Sequence, residues 1–203
     1  LVNDLFSNGW DLAEEDNLGR TALDLAAYQG SVELVESLLA MNCNAEHRDR
    51  DGQTPLHYAV SSQGRKDIRL LECLVEAGCD VSKASSSGET ALHRAARFNT
   101  DDAAAWLLKK GSKVSSKDGS FNTPLHVAAS FDSIAVVRTL LSYGAQLSPV
   151  AIDGRTPLHC ACQLGANDAV VALLDTSADP NKADRAADIM ESSSSVNGSC
   201  VHP

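Results

Sequence analysis

Apolar residues recur along this chain in pairs set four positions apart: Leu34 and Val35 with Leu38 and Leu39, Leu70 and Leu71 with Leu74 and Val75, Ala103 and Ala104 with Leu107 and Leu108, Val136 and Val137 with Leu140 and Leu141, and Ala169 and Val170 with Leu173 and Leu174. Residues four apart share one face of a helix, so each set predicts an amphipathic helix of two to three turns. Three positions after each set stands Asn42, Gly78, Gly111, Gly144 or Ser177. Gly and Asn tolerate the left-handed backbone that ends helices, which makes this a fitting stop signal. The chain opens on the same pattern, with Leu1 and Val2, Leu5 and Phe6, then Gly9. Residues 1–15 are therefore predicted to be the second half of a unit.

A shorter apolar stretch precedes each of these helices: "GRTALDLAAYQG" from Gly19, "GQTPLHYAVSSQG" from Gly52, "GETALHRAARFN" from Gly88, "NTPLHVAASFD" from Asn122 and "GRTPLHCACQLG" from Gly154. Their threonines, at 21, 54, 90, 123 and 156, are 33, 36, 33 and 33 residues apart. A Thr hydroxyl can cap the free amides of an opening helical turn. Pro55, Pro124 and Pro157 then occupy the first helical position, where no amide hydrogen is needed, and Ala22 and Ala91 replace them without harm. The small residues at 26–27, 59–60, 95–96, 128–129 and 161–162 let neighbouring helices approach closely. The expected units are 16–48, 49–84, 85–117, 118–150 and 151–184.

A Thr-Pro-Leu-His-x-Ala-Ala stretch, a second helix and a Gly-Ala-Asp-like end every ~33 residues resembles the ankyrin repeat. The likeness covers residues 1 to about 184. It implies an all-α solenoid of antiparallel helix pairs, elongated and gently curved, with hairpin-like loops at right angles to the helices. Three departures stand out. The second unit has three extra residues in "SSQGRKDIR", the fourth has Phe121 where the others keep Gly, and the first has Asp24 in place of His. Residues 185–203 lack the pattern, and their Ser run reads as an irregular tail that either caps the solenoid or leads into more chain.

Composition narrows the function. The chain carries 27 acidic and 17 basic residues, a formal charge of −10, and no basic stripe, which disfavours nucleic acid as a partner. No apolar run reaches the ~20 residues of a spanning helix, so direct membrane insertion is not expected. The first residues have no initiator Met, basic leader or cleavage site, and read as a cut inside a larger chain. Six cysteines, at 43, 73, 79, 160, 162 and 200, form no CxxC pair and no disulfide framework, which points to a reducing, cytoplasmic setting. Asn197-Gly198-Ser199 matches a glycosylation triplet, a pattern common by chance.

His159, Cys160 and Cys162 resemble a soft-metal or thiol site. Their register says otherwise, because His57, His93, His126 and His159 recur once per unit and the repeat carries each away from the next. The resemblance implies a structural His bonded to Thr and to the adjoining loop. The cysteines are read as small buried hydrophobes. No nucleophile, base and orienting group converge, and no phosphate-binding glycine loop is present, so no catalytic residue, cofactor, metal or small-molecule substrate is expected.

Binding is left to side chains the fold does not need. The two positions after each small pair hold Tyr28 and Gln29, Ser61 and Ser62, Arg97 and Phe98, Ser130 and Phe131, and Gln163 and Leu164. The resemblance places them at the inner, concave end of the first helices. Phe98, Phe131 and Leu164 share one slot in successive units, and form either an apolar column for a partner, flanked by Arg97 and extended by Tyr28, or contacts with the next repeat. Trp106 either packs partly against a neighbour or anchors a partner. Arg65 and Lys66, in the second unit's insertion, are candidates for contact in an acidic molecule. Leu173, Asp179 and Asn181 match, through the resemblance, the spacing of an asparagine-hydroxylation substrate.

The reading is a non-catalytic protein-interaction segment of a larger intracellular scaffold or adaptor, with a basic or mixed-charge partner surface. The alternatives are a regulatory segment of a multidomain enzyme and part of a membrane-trafficking scaffold.

Overall fold

The computed structural model describes residues 11–61 and 67–175, and within them ten helices follow in five pairs. These are α1 (Ala22–Gln29) and α2 (Val32–Ala40), α3 (Pro55–Val60) and α4 (Ile68–Glu76), α5 (Ala91–Phe98) and α6 (Asp101–Lys109), α7 (Pro124–Ser130) and α8 (Ile134–Ser142), α9 (Pro157–Leu164) and α10 (Asn167–Asp175). First helices stack on first helices, from α1 through α3, α5 and α7 to α9. Second helices stack in the same order beside them, from α2 to α10. The helices are those the periodicity predicts, and the architecture is the all-α solenoid that the resemblance implies. Most of the expected leading half-unit, Arg65 and Lys66, Asp179, Asn181 and the tail at 185–203 lie outside the described residues.

The stack is held by Leu and Ala. Leu23, Leu56, Leu92 and Leu125 open the buried face of the first four first helices at 1% exposure or less, and Leu158 in the fifth is half-buried. Ala26, Ala27, Ala95, Ala96, Ala128 and Ala129 are equally hidden. Covering a Leu side chain contributes about 1.5–3 kcal/mol. The alanines contribute by absence, because a larger side chain would push adjacent first helices apart.

Each unit is also bonded to the next through one imidazole. In the second unit, the Thr54 amide donates to His57 Nδ1 at 3.1 Å and the Thr54 hydroxyl lies 2.9 Å from the same nitrogen. With Nδ1 accepting, the proton sits on Nε2, which donates to the Glu89 carbonyl of the third unit at 3.1 Å. His93 joins Thr90 to the Asn122 carbonyl, and His126 joins Thr123 to the Arg155 carbonyl, with the same 3.1 Å closing bond. All three rings are buried. Protonation would turn Nδ1 into a donor facing a donor, and burial disfavours the charge. Burial accordingly holds His57 down at about 4 and lowers His93 and His126.

The first unit solves the problem differently. Asp24, fully buried, accepts from the Thr21 amide at 2.8 Å and from its hydroxyl at 2.9 Å. A carboxylate cannot donate onward to the next unit's carbonyl; Asp24 is bonded instead within its own unit by His47, whose Nδ1 lies 2.9 Å from Asp24 and Nε2 3.2 Å from Glu15. Burial opposes charge on His47, yet its bonds to Glu15 and Asp24 prevail and raise its pKa.

At the far edge, consecutive hairpin tips are joined by backbone bonds: Arg50 to the Leu18 carbonyl, Ser86 to Asp51, Gly119 to Ser87 and Ile152 to Ser120, at 2.7–3.1 Å. Beside each junction the backbone turns left-handed. Gly19, Gly52, Gly88 and Gly154 do so at φ 71–80°, whereas the fourth unit adopts φ 63° with Phe121. A left-handed non-glycine residue carries about 1–2 kcal/mol of strain.

Two outcomes follow from these contacts. Unfolded imidazoles take up protons below about pH 6.5 while folded His57 resists until about 4. Stability complete above pH 6.5 is therefore lost as pH falls toward 4, on the order of 3 kcal/mol for this group alone. His47 works in the opposite sense, its contribution fading as pH rises through its raised value. Urea titrations across this range test the net decline, and a flat profile from pH 7 to 4 would contradict it. Phe121→Gly should also be more stable than Phe121→Ala by about 0.5–1 kcal/mol, since both lose the ring and only Gly escapes the strain.

Candidate protein-binding surface

Once Leu, Ala and His are committed to the stack, two positions along the last three first helices vary in type: the one after His, which is buried or half-buried, and the one four residues later, which is exposed. They form pairs on a single helical face, Arg94 with Phe98, Val127 with Phe131, and Cys160 with Leu164. The outer member of each pair is exposed, Phe98 by 41%, Phe131 by 52% and Leu164 by 64%. That slot is not filled by the next repeat.

A cleft of about 250 Å³ opens across α5, α7 and α9. Phe131, Leu164, Val127 and Cys160 supply its apolar wall, and Glu89, Arg97, Asp118 and Arg155 its charged rim. Arg97 is fixed at both ends of its guanidinium, bonded to Glu89 Oε1 at 2.5 Å and lying 5.1 Å from the Phe131 ring centroid. Arg155 is held in turn by Asp153 and by Gln163. Both signs of charge thus border one apolar floor, with the cations already oriented.

The expected residues divide. Arg97, Phe131 and Leu164 meet in the cleft; Phe98 is exposed in the same column but does not line it. Tyr28, 39% exposed, belongs to a separate feature two units away, packing edge-on against Tyr58 with centroids 6.3 Å apart, and Tyr58 donates to Asp49. Trp106 requires a correction. It is 9% exposed and part of the core, with Lys110 Nζ 5.3 Å from its ring. The flanking units carry only Cys73 and Thr139 in this slot, small side chains that leave room for an indole. Arg65 and Lys66 lie outside the described residues.

The thiols also need revision. Cys79 is buried, donates to the Ala45 carbonyl and has its pKa pushed up to about 12 by burial, while Cys43 and Cys73 are half-buried and raised for the same reason. Cys160 is buried in its variable position, but Cys162 is exposed. The equivalent Ala27, Ala96 and Ala129 are covered by the following first helix, and among the described residues α9 has none after it. His159 is exposed for the same reason and keeps its bond to Thr156. No three His, Cys, Asp or Glu side chains of the described residues form a metal-binding group.

Glu89 and Arg155 were not anticipated, and Gln163 was placed with Leu164 at the concave end but not chosen as a binding residue. Glu89 and Arg155 sit immediately before the capping Thr, so their signal was a charged residue at a fixed offset from an exposed slot. Asp118, from the hairpin, has no comparable signal.

Paired helices stacked through His-to-carbonyl bonds, with function left to the open slots, define a helical repeat solenoid. The ankyrin-repeat family model matches residues 1–84, 47–118 and 116–184, and the chain belongs to that family, whose repeats generally serve as protein-interaction modules. Similar proteins include human Rabankyrin-5, 44% identical over 57 residues, 28% of this chain and 5% of that protein. Mouse Rabankyrin-5 is 42% identical over 57 residues, 28% of this chain and 5% of the relative. The Caenorhabditis elegans ankyrin repeat and KH domain-containing protein mask-1 is 54% identical over 41 residues, 20% of this chain and 2% of the relative. The chain thus spans a small part of the curated relatives it matches. No helix among the described residues is long and apolar enough to cross a membrane.

Trp106 separates core from surface. Trp106→Ala should cost about 3–5 kcal/mol in urea unfolding; a change under about 0.5 kcal/mol, the usual range for an exposed site, would return it to the surface.

Proposed function

We propose that this segment is a non-catalytic protein-binding module of a larger scaffold or adaptor, and that its partner seats an apolar side chain in the cleft between Arg97, Phe131 and Leu164. The observation that carries this reading is the exposure of Phe98, Phe131 and Leu164 in one slot of successive first helices, beside alanines that are wholly buried. Exposed aromatic and Arg side chains in a pocket are the residue types that dominate binding energy. A basic or mixed-charge partner matches a rim that offers Glu89 and Asp118 alongside Arg97 and Arg155. Because Arg97 is oriented by Glu89 before any partner arrives, little side-chain freedom is lost on binding.

Affinity capture with the wild-type segment and with Phe98→Ala plus Phe131→Ala tests the reading. The double variant should recover at least about tenfold less of a partner held by wild type, each truncation removing about 1 kcal/mol or more. Its helical signal and cooperative unfolding should persist. Equal recovery, or loss of folding, would contradict the assignment.

A further inference from the structure

The chain is acidic as a whole and basic in one place. Lys109, Lys110, Lys113 and Lys117 fall within nine residues between α6 and the hairpin of the fourth unit, and all four are exposed. None makes an ion pair with another described residue. The nearest acid in sequence, Asp118, is turned to its own loop, accepting from the Ser120 and Asn122 amides at 2.9 and 2.8 Å and from the Asn122 side chain at 3.1 Å. These ammonium groups therefore face solvent without an ion-pair partner, Lys110 lying over the Trp106 ring and Lys117 over that of Phe121.

Apolar surface adjoins them. Lys117 Nζ lies 5.2 Å from the centroid of Phe121, whose ring is 49% exposed on a backbone held at φ 63°. The neighbouring tip, bonded through Ile152 to Ser120, leaves Ile152 71% and Val150 52% exposed. Between the two loops is a depression of about 220 Å³ lined by Val114, Ala145, Pro149 and Val150 together with the polar Ser115, Lys117, Thr123 and Gln146. It shares no lining residue with the Arg97 cleft. A strained Phe, where four other units place Gly, puts an aromatic ring on the surface beside free ammonium groups. Strain kept in this way accompanies sites that use it.

We propose that this hairpin face is a second docking site, for an acidic peptide segment of a protein partner. Carboxylates of the segment pair with Lys113 and Lys117, one of its apolar side chains enters the depression beside Val114 and Val150, and another packs on the exposed Phe121. Charge complementarity selects this occupant: the chain's net −10 repels anions in general, so only a ligand that also buries apolar surface gains enough at Lys113 and Lys117. The inference rests on the segment being a protein-binding module but not on the Arg97 cleft.

The test is selection of a displayed library of random peptides of about twelve residues on the whole chain, with counter-selection on Lys113→Glu plus Lys117→Glu. The enriched peptides should carry net negative charge and at least one large apolar residue. A synthetic copy of an enriched peptide should bind the lysine double variant and Phe121→Gly at least about tenfold more weakly than wild type, a hot-spot effect, and weaken as salt rises. Phe98→Ala plus Phe131→Ala should leave this affinity unchanged, so the cleft can fail while this site stands. No enrichment, neutral or basic winners, or affinity indifferent to these substitutions would overturn the proposal. Tighter binding to phosphatidylserine vesicles or to a DNA duplex than to the selected peptide would overturn it as well.

Discussion

A neutral imidazole that accepts on one nitrogen and donates from the other sets the geometry on which the rest of this molecule depends. His57, His93 and His126 each take the amide of their own helix-opening Thr and pass a proton to a carbonyl one unit on. Only one tautomer can do this, which fixes the ring, the start of the helix and the height of the next hairpin together. A buried hydrogen bond adds only about 0.5–1.5 kcal/mol net. Its larger effect is registry, because the Leu and Ala faces pack densely only when successive units meet at one height. The first unit shows the constraint from the other side: Asp24 cannot donate onward, and it is held within its own unit by His47 from the loop.

Function is confined to what this framework leaves open. Residues committed to the stack repeat from unit to unit, and those that differ are candidates for recognition. The cleft combines Phe131 and Leu164 with oriented cations and acids, so it suits a partner of mixed character. The hairpin face has a different balance, four lysines beside Phe121 and Val150. A net charge of −10 describes long-range steering and says little about either patch.

The stacking was legible in the sequence because it is periodic. Thr, Leu, His and the Ala pairs recur at ~33 residues, and each performs the same task wherever it falls. The column of Phe98, Phe131 and Leu164 was legible for the same reason. What escaped lacks period. Trp106 belongs to the core although its register is one where a side chain is expected outside, a matter of packing between units that is invisible within one. Cys162 is exposed because of what does not follow α9 among the described residues, not because of its own register. The compensation of Asp24 by His47 spans 23 positions and involves a loop residue with no counterpart in other units. The lysines were visible as letters, but their significance depends on Asp118 being engaged and on Phe121 standing outward, both facts of three dimensions.

The central claim is that the repeated histidines are spent on architecture, and their tautomers test it most directly. Long-range nitrogen–proton NMR correlations at neutral pH should show His57, His93 and His126 protonated on Nε2 alone. His57 should stay neutral as the pH is lowered toward about 4. An Nδ1-protonated ring, or titration of His57 near the ordinary value of 6.5, would contradict the account.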